Sequence, residues 1–184
     1  MKEIMNLGLK LLLISLIAAL SLGYVNEITK DKIAEQRAIA NERARKAVQP
    51  EADSFNEIDI SKIDDDLVVE GFEAVKDDLT IGYVFKTLPK GYGGGVEVIV
   101  GISNGAITGV RIGSHNETPG LGAKSTDESF YSQYENMKAN QEIGVSKIQK
   151  SNSEIQAISG ATITSKAVTT GVNSATKAYN ALVQ

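Results

Sequence analysis

From Leu11 to Asn26 the chain passes through sixteen residues without a charge, LLLISLIAALSLGYVN. Ile4 to Leu9 extend the run to about 22 apolar or neutral residues broken only by Lys10, against the roughly 20 a helix needs to cross a bilayer. In hydrocarbon a single segment can satisfy its backbone polar groups only as a helix. The pattern therefore predicts a membrane-spanning helix, and a lipid bilayer as its surroundings. Lys10 lies near one end, where its amine can snorkel to the interface. The competing reading is a cleaved signal peptide, but Ser21-Leu22-Gly23 is a poor small-x-small site and no lipobox cysteine follows. An uncleaved anchor is the expectation. Charge leaves its orientation open, because Lys2 and Lys10 precede the span while Lys30, Lys32 and Arg37 follow it.

The chain divides into three parts: an anchor over residues 1–26, a juxtamembrane stalk over 27–50, and a domain over 51–184. The stalk is densely charged and lacks glycine, with Ala and Ile interleaved and Pro50 as a stop. It reads as a continuing, solvated helix, with Glu42 and Lys46 at a favourable i,i+4 spacing. Early in the domain an acidic stretch, Asp59 to Asp66, reads as a surface loop. The adjacent Asp64, Asp65 and Asp66 are the only candidate cation ligands there, and a solvated turn is the simpler reading.

Composition narrows the function. The domain carries 18 acidic against 11 basic residues, so it is repelled by phosphate backbones. With 5% aromatics and no tryptophan it also lacks stacking platforms for bases, and no nucleic-acid partner is expected. There is no cysteine and only one histidine, His115. Little remains to ligate an iron–sulfur cluster or a haem, and no metal site is expected. If this chain handles electrons, it needs an organic, phosphate-bearing cofactor.

From Leu67 the pattern turns to strands. Leu67–Val75 and Leu79–Thr87 are short and rich in Val, Ile, Phe and Tyr. Val96–Ser103 and Ala106–Gly113 flank Asn104-Gly105, the strongest short-range hairpin cue, because both turn residues accept positive φ. Ten of the 17 glycines fall between Gly91 and Gly122, which suggests tight turns or a backbone that must approach something closely. A polar segment with Phe130, Tyr131 and Tyr134 reads as a helix, and Ile155–Ile158 as a short strand. The chain closes on a long helix whose Val168, Val172, Ala175, Tyr179 and Leu182 fall on one face. Strands with flanking helices predict an α+β domain built on an antiparallel sheet.

Two loops carry chemistry. In Ser159-Gly160-Ala161-Thr162-Ile163-Thr164-Ser165, small residues and hydroxyls crowd a helix start, where free N–H groups and the helix dipole favour an anion. One hydroxyl there is also able to be esterified by a phosphate. An ordinary N-cap explains the same residue types. The second loop is Ser114-His115-Asn116-Glu117-Thr118-Pro119-Gly120-Leu121-Gly122, at a sheet edge. Pro119-Gly120 marks a turn. Its amides and the Thr118 hydroxyl suit a heterocycle's edge, and Leu121 suits its face. His115 and Glu117 raise acid–base chemistry, although such a pair in a turn is more often structural, and no catalytic residue is assigned.

Together with Gly91-Tyr92-Gly93-Gly94 and the Asn-Gly hairpin, these loops resemble, in order, the FMN-binding domain of the G subunit of the Rnf electron-transport complex. They also resemble the related C subunit of the Na+-translocating NADH:quinone reductase, though the short chain is more similar to the former. The resemblance implies FMN joined through its phosphate to Thr162 by a dedicated flavin transferase. It implies that Ser159, Gly160, Ala161, Thr164 and Ser165 surround the phosphate, and that Glu117, Thr118, Gly120, Leu121 and Gly122 flank the isoalloxazine ring. Gln156 departs from the acidic residue usual three places before the serine, which puts the efficiency of flavinylation in question. The implied protein is an electron-carrying subunit among other Rnf subunits, in a complex coupling ferredoxin–NAD+ electron transfer to ion export, without independent catalysis. Its N-terminus would be cytoplasmic and its FMN domain extracytoplasmic. The rival readings are the C-type subunit itself, an anchored non-redox module that binds a phosphorylated ligand reversibly, and an independent flavin reductase.

Overall fold

The computed structural model describes residues 1–148, 151 and 153–183. Its first element is α1, Lys2–Val48, and the chain falls into two compact units, Met1–Ala40 and Asn41–Gln184. The first unit is helical throughout and leaves its apolar side chains exposed. It contains a stretch long and apolar enough to cross a membrane. Two ion pairs at i,i+3, Glu27–Lys30 and Lys32–Glu35, decorate its charged end.

In the second unit, β1 (Ser54–Glu57), β2 (Val68–Lys76), β3 (Leu79–Thr87), β4 (Val96–Ser103) and β5 (Ala106–His115) form an antiparallel meander in chain order. The two long hairpins turn on residues with positive φ: Asp77 and Asp78 between β2 and β3, and Asn104 and Gly105 between β4 and β5. The second turn follows from the Asn-Gly cue. The helix expected around Phe130, Tyr131 and Tyr134 is a short α2 (Glu128–Tyr131) continued by a 3-10 turn, Ser132–Tyr134. Asn136 at positive φ and the pairing of Ala106 with Lys138 turn that segment back along β5. Then β6 (Gly144–Ser146) and β7 (Glu154–Gln156) pair in parallel, and α3 (Thr162–Val183) ends the chain.

The meander buries one face against α3. Phe85, Val98, Val100 and Ile102 from the sheet meet Val168, Val172, Ala175 and Tyr179 from the helix in one apolar cluster. Leu182 packs on its margin, so the helical stripe read from the sequence is the buried one. Inside this layer the Tyr134 hydroxyl bonds that of Thr169 at 2.7 Å.

The last turn of α1 packs on the sheet as well. Val48 is fully buried with Val84 and Ile99, and its carbonyl accepts the Thr108 hydroxyl at 2.6 Å. Gly101 and Gly109 are cross-strand partners; a Cβ on Gly101 would run into the Val48 carbonyl, and one on Gly109 would press tightly, at 3.2 Å, on Val48 Cα. Part of the glycine cluster is therefore there to admit a helix end. Arg45 lies over the Phe72 ring, 4.3 Å from its centroid. The compact domain accordingly begins at Asn41, ten residues before the boundary the sequence suggests, because the stalk's end has an apolar face and the sheet has a groove for it. The Glu42–Lys46 pairing does not form. Lys46 Nζ donates to the Ala52 carbonyl instead.

Candidate functional site

Two tight turns face each other across a cavity at the start of α3. The first spans Thr118–Leu121: the Leu121 N–H donates to the Thr118 carbonyl at 3.1 Å, and Gly120 has φ +77°. The second spans Ile158–Ala161: the Ala161 N–H donates to the Ile158 carbonyl at 3.0 Å, and Gly160 likewise has φ +77°. Pro119 and Ser159 occupy the second position of each turn and the glycines the third, the arrangement of type II turns. A Cβ on Gly160 would lie 3.1 Å from Leu121 Cδ2, so the two turns touch.

Behind them lies a cavity of about 570 Å³, within the roughly 300–1,000 Å³ usual for a bound small molecule or cofactor. Its walls are Glu117, Thr118, Leu121 and Gly122 from the first loop and Gly160 to Thr164 from the second, with Tyr92 from the glycine-rich loop before β4. Tyr92 is 73% exposed, Ile163 57% and Leu121 44%. Three apolar side chains thus stand open around a polar-backed hollow.

Among the described residues no side chain accepts the first N–H groups of α3. The first i→i+4 bond runs from the Ser165 N–H to the Ala161 carbonyl at 3.0 Å, which makes Ala161 the capping position, and alanine has no acceptor to offer. The N–H groups of the first turn, Thr162 to Thr164, have no carbonyl of the helix to bind. The ordinary-cap reading of these hydroxyls therefore does not describe this helix.

The four hydroxyls that look equivalent in the sequence differ in the structure. Thr162 and Ser159 are exposed and have no hydrogen-bond partner among the described residues. Thr164 is buried and donates to Glu117 Oε2 at 2.6 Å. Ser165 is fully buried; its Oγ accepts the Ile158 N–H at 2.9 Å and donates to the Ala161 carbonyl at 3.0 Å. It ties the turn to the helix, and it does not line the cavity. Ser159 and Gly120 lie just outside the lining as well. Of the expected site residues, Glu117, Thr118, Leu121, Gly122, Gly160, Ala161, Thr162 and Thr164 come together.

Two further lining residues, Tyr92 and Ile163, lie within motifs read from the sequence but are not among the expected site residues. A lone large ring within a run of glycines is the available signal for Tyr92. Ile163 has none, since an apolar residue in a helix ordinarily points to the core.

Glu117 is 6% exposed. Its Oε1 accepts the Gly93 N–H at 2.9 Å, and its own N–H donates to His115 Nδ1 at 3.2 Å. Burial pushes its carboxyl up. The Thr164 hydroxyl, the N–H groups of Gly93 and Tyr92, and His115 outweigh that effect, and the group titrates below the usual carboxylate range. The His115–Glu117 pair is thus a backbone fastening in a turn.

A hollow that sets amide donors and an exposed hydroxyl at one end and apolar side chains at the other suits a phosphate attached to a planar ring. The domain family described as FMN-binding domain matches residues 91–177, so this is the class of protein that fold and site define. The chain is 40% identical to the G subunit of the Na(+)-translocating ferredoxin:NAD(+) oxidoreductase complex of Acetobacterium woodii, over 98% of this chain and 94% of that one. It is 36% identical to the G subunit of the proton-translocating ferredoxin:NAD(+) oxidoreductase complex of Clostridium ljungdahlii, over 86% and 82%. It belongs to this family, the G subunits of Rnf-type ion-translocating oxidoreductase complexes. In fold it is similar to the C subunit of the Na(+)-translocating NADH-quinone reductase from Parabacteroides distasonis, with a TM-score of 0.64 at 16% identity, covering 83% of this chain and 96% of that one.

Proposed function

We propose that this chain is the flavin-carrying subunit of an ion-translocating ferredoxin:NAD+ oxidoreductase, with FMN held by a phosphoester bond to Thr162. The observation that carries the reading is the sorting of hydroxyls at the helix start. Thr162 is free and exposed on the cavity wall, Thr164 is committed to Glu117, and Ser165 to the backbone. Family membership supports FMN as the cofactor and a multi-subunit complex as the setting.

The residues divide the work by chemistry. The uncapped N–H groups of the first turn of α3 and its dipole hold the phosphate's charge. Thr162 Oγ1 supplies the ester oxygen, and Ser159 in the adjoining turn offers a second hydroxyl. Tyr92, Leu121 and Ile163 are the apolar lining that would hold the ring, and the Thr118–Gly122 turn would offer it polar contacts. FMN, when bound, supplies one- and two-electron chemistry that no side chain here can. The domain orients it and shields it. A covalent tether suits a carrier outside the cytoplasm, where a dissociated flavin is lost. We place the apolar helix of α1 across the bilayer, the N-terminus in the cytoplasm and the flavin domain outside, with a flavin transferase required for maturation.

The test is intact-protein mass spectrometry of the full-length chain co-expressed with a flavin transferase. The wild type should gain the mass of FMN less one water and stay fluorescent after denaturation in a gel. Thr162→Ala should lose the adduct completely while unfolding at the same denaturant concentration. A wild-type chain recovered colourless and unmodified overturns the assignment, and an adduct persisting in Thr162→Ala moves the bond to another hydroxyl.

A further inference from the structure

Glu117 is the acidic group in the cavity wall, and both of its oxygens are engaged. Oε1 takes the Gly93 N–H and Oε2 the Thr164 hydroxyl. These partners come from separate elements, the glycine-rich loop that carries Tyr92 and the first turn of α3 that carries Thr162. The carboxylate is therefore the tie between two walls of the cavity. The surroundings are shaped to it: a Cβ on Gly91 would strike Oε1, and one on Gly122 would strike Oε2.

The groups its carboxylate hydrogen-bonds are neutral dipoles, and His115 beside it is the charged neighbour that favours the anion without forming an ion pair with it. The ion pairs among the described residues join Glu27 to Lys30, Lys32 to Glu35, Glu51 to Lys76 and Glu70 to Lys86. None includes Glu117. The wall thus holds a buried negative charge that is stabilised in place but not neutralised. Glu117 is itself shielded from water, and a fixed charge so shielded acts more strongly than one in solvent. Reducing an isoalloxazine ring adds electron density to it, which a neighbouring anion opposes.

The geometry points to Glu117 as a positioning residue that clasps the Tyr92 loop to the start of α3 and, through its unpaired charge, holds down the reduction potential of a flavin in the cavity. This rests on the cavity being the FMN site. It assigns Thr164 to the same unit, as the carboxylate's donor and not as a ligand of the phosphate.

The experiment uses the full-length chain, matured with a flavin transferase, as wild type, Glu117→Gln, Glu117→Met and Glu117→Asp. Intact mass reports loading, redox titration followed by flavin absorbance reports the potential, and urea unfolding of unloaded chain reports the clasp. Glu117→Gln keeps the size and the acceptor for Gly93 but removes the charge. Glu117→Met removes it in an apolar group of similar volume, so one folded, loaded variant suffices. Both should unfold at lower urea than wild type. At a fixed potential the ratio of oxidised to reduced flavin should fall at least tenfold, an upward shift of about 30 mV for a two-electron couple. Glu117→Asp, which keeps the charge, should restore the ratio to within about threefold of wild type. Destabilised variants whose potential equals the wild type reduce Glu117 to a structural tie and overturn the inference. A wild type that carries no FMN overturns the reading of the cavity itself, which the mass measurement tells apart.

Discussion

At Gly93 a single methyl group decides whether the loop carrying Tyr92 can close. A Cβ there would overlap the carbonyl of Asn116, a backbone atom that cannot swing aside. Yet the Gly93 N–H must reach Glu117. Gly93→Ala should therefore cost about 1–3 kcal/mol, in the range of overpacking strain, and should slow flavin attachment. Urea unfolding and the loaded fraction by mass check both. In the sequence the glycines stand out as a cluster, but nothing there says what they approach. Thr162, Thr164 and Ser165 likewise read as similar hydroxyls. What separates them is burial and partner, and both are set by contacts with residues more than forty positions away in the case of Thr164 and Glu117. No local pattern encodes such a pairing.

Elements with strong local chemistry are legible. The β4–β5 hairpin follows from Asn104-Gly105, and the buried stripe of α3 from its spacing. The β2–β3 turn is built from Asp77 and Asp78, at φ 49° and 61°, a conformation that costs a side-chain-bearing residue about 1–2 kcal/mol. Asp78→Gly should remove that strain and, after the larger entropy of glycine in the unfolded chain, raise stability by about 0.5–1 kcal/mol, visible as a higher urea midpoint with an unchanged slope. The segment around Phe130 and Tyr134 illustrates the opposite case. It is helical where a helix is expected, but only for one α turn and one 3-10 turn before it pairs with β5 at Lys138. There the tertiary contact overrides propensity.

For the whole molecule, stability should depend on pH through Glu117. Its folded pKa lies below the ordinary value of 4.5, so its contribution is present above that value and disappears as pH falls through the folded pKa. Asp59 shifts the same way because it accepts hydrogen bonds from Ser61. Comparing wild type with Glu117→Gln therefore isolates one group: the gap between their urea midpoints should be constant from about pH 6 to 8 and narrow below about pH 4.5. The sequence by itself determined the apolar N-terminal stretch, the four long strands of the sheet and the helix start after Ser159, because each depends on composition or spacing within a few residues. The tertiary structure alone decided that the end of α1 belongs to the domain, that Tyr92 and Ile163 rim the cavity, and that Thr162 remains free while its neighbours are tied. Those outcomes depend on which distant surfaces meet, and a hydroxyl's reactivity follows from what is left unbound once they have.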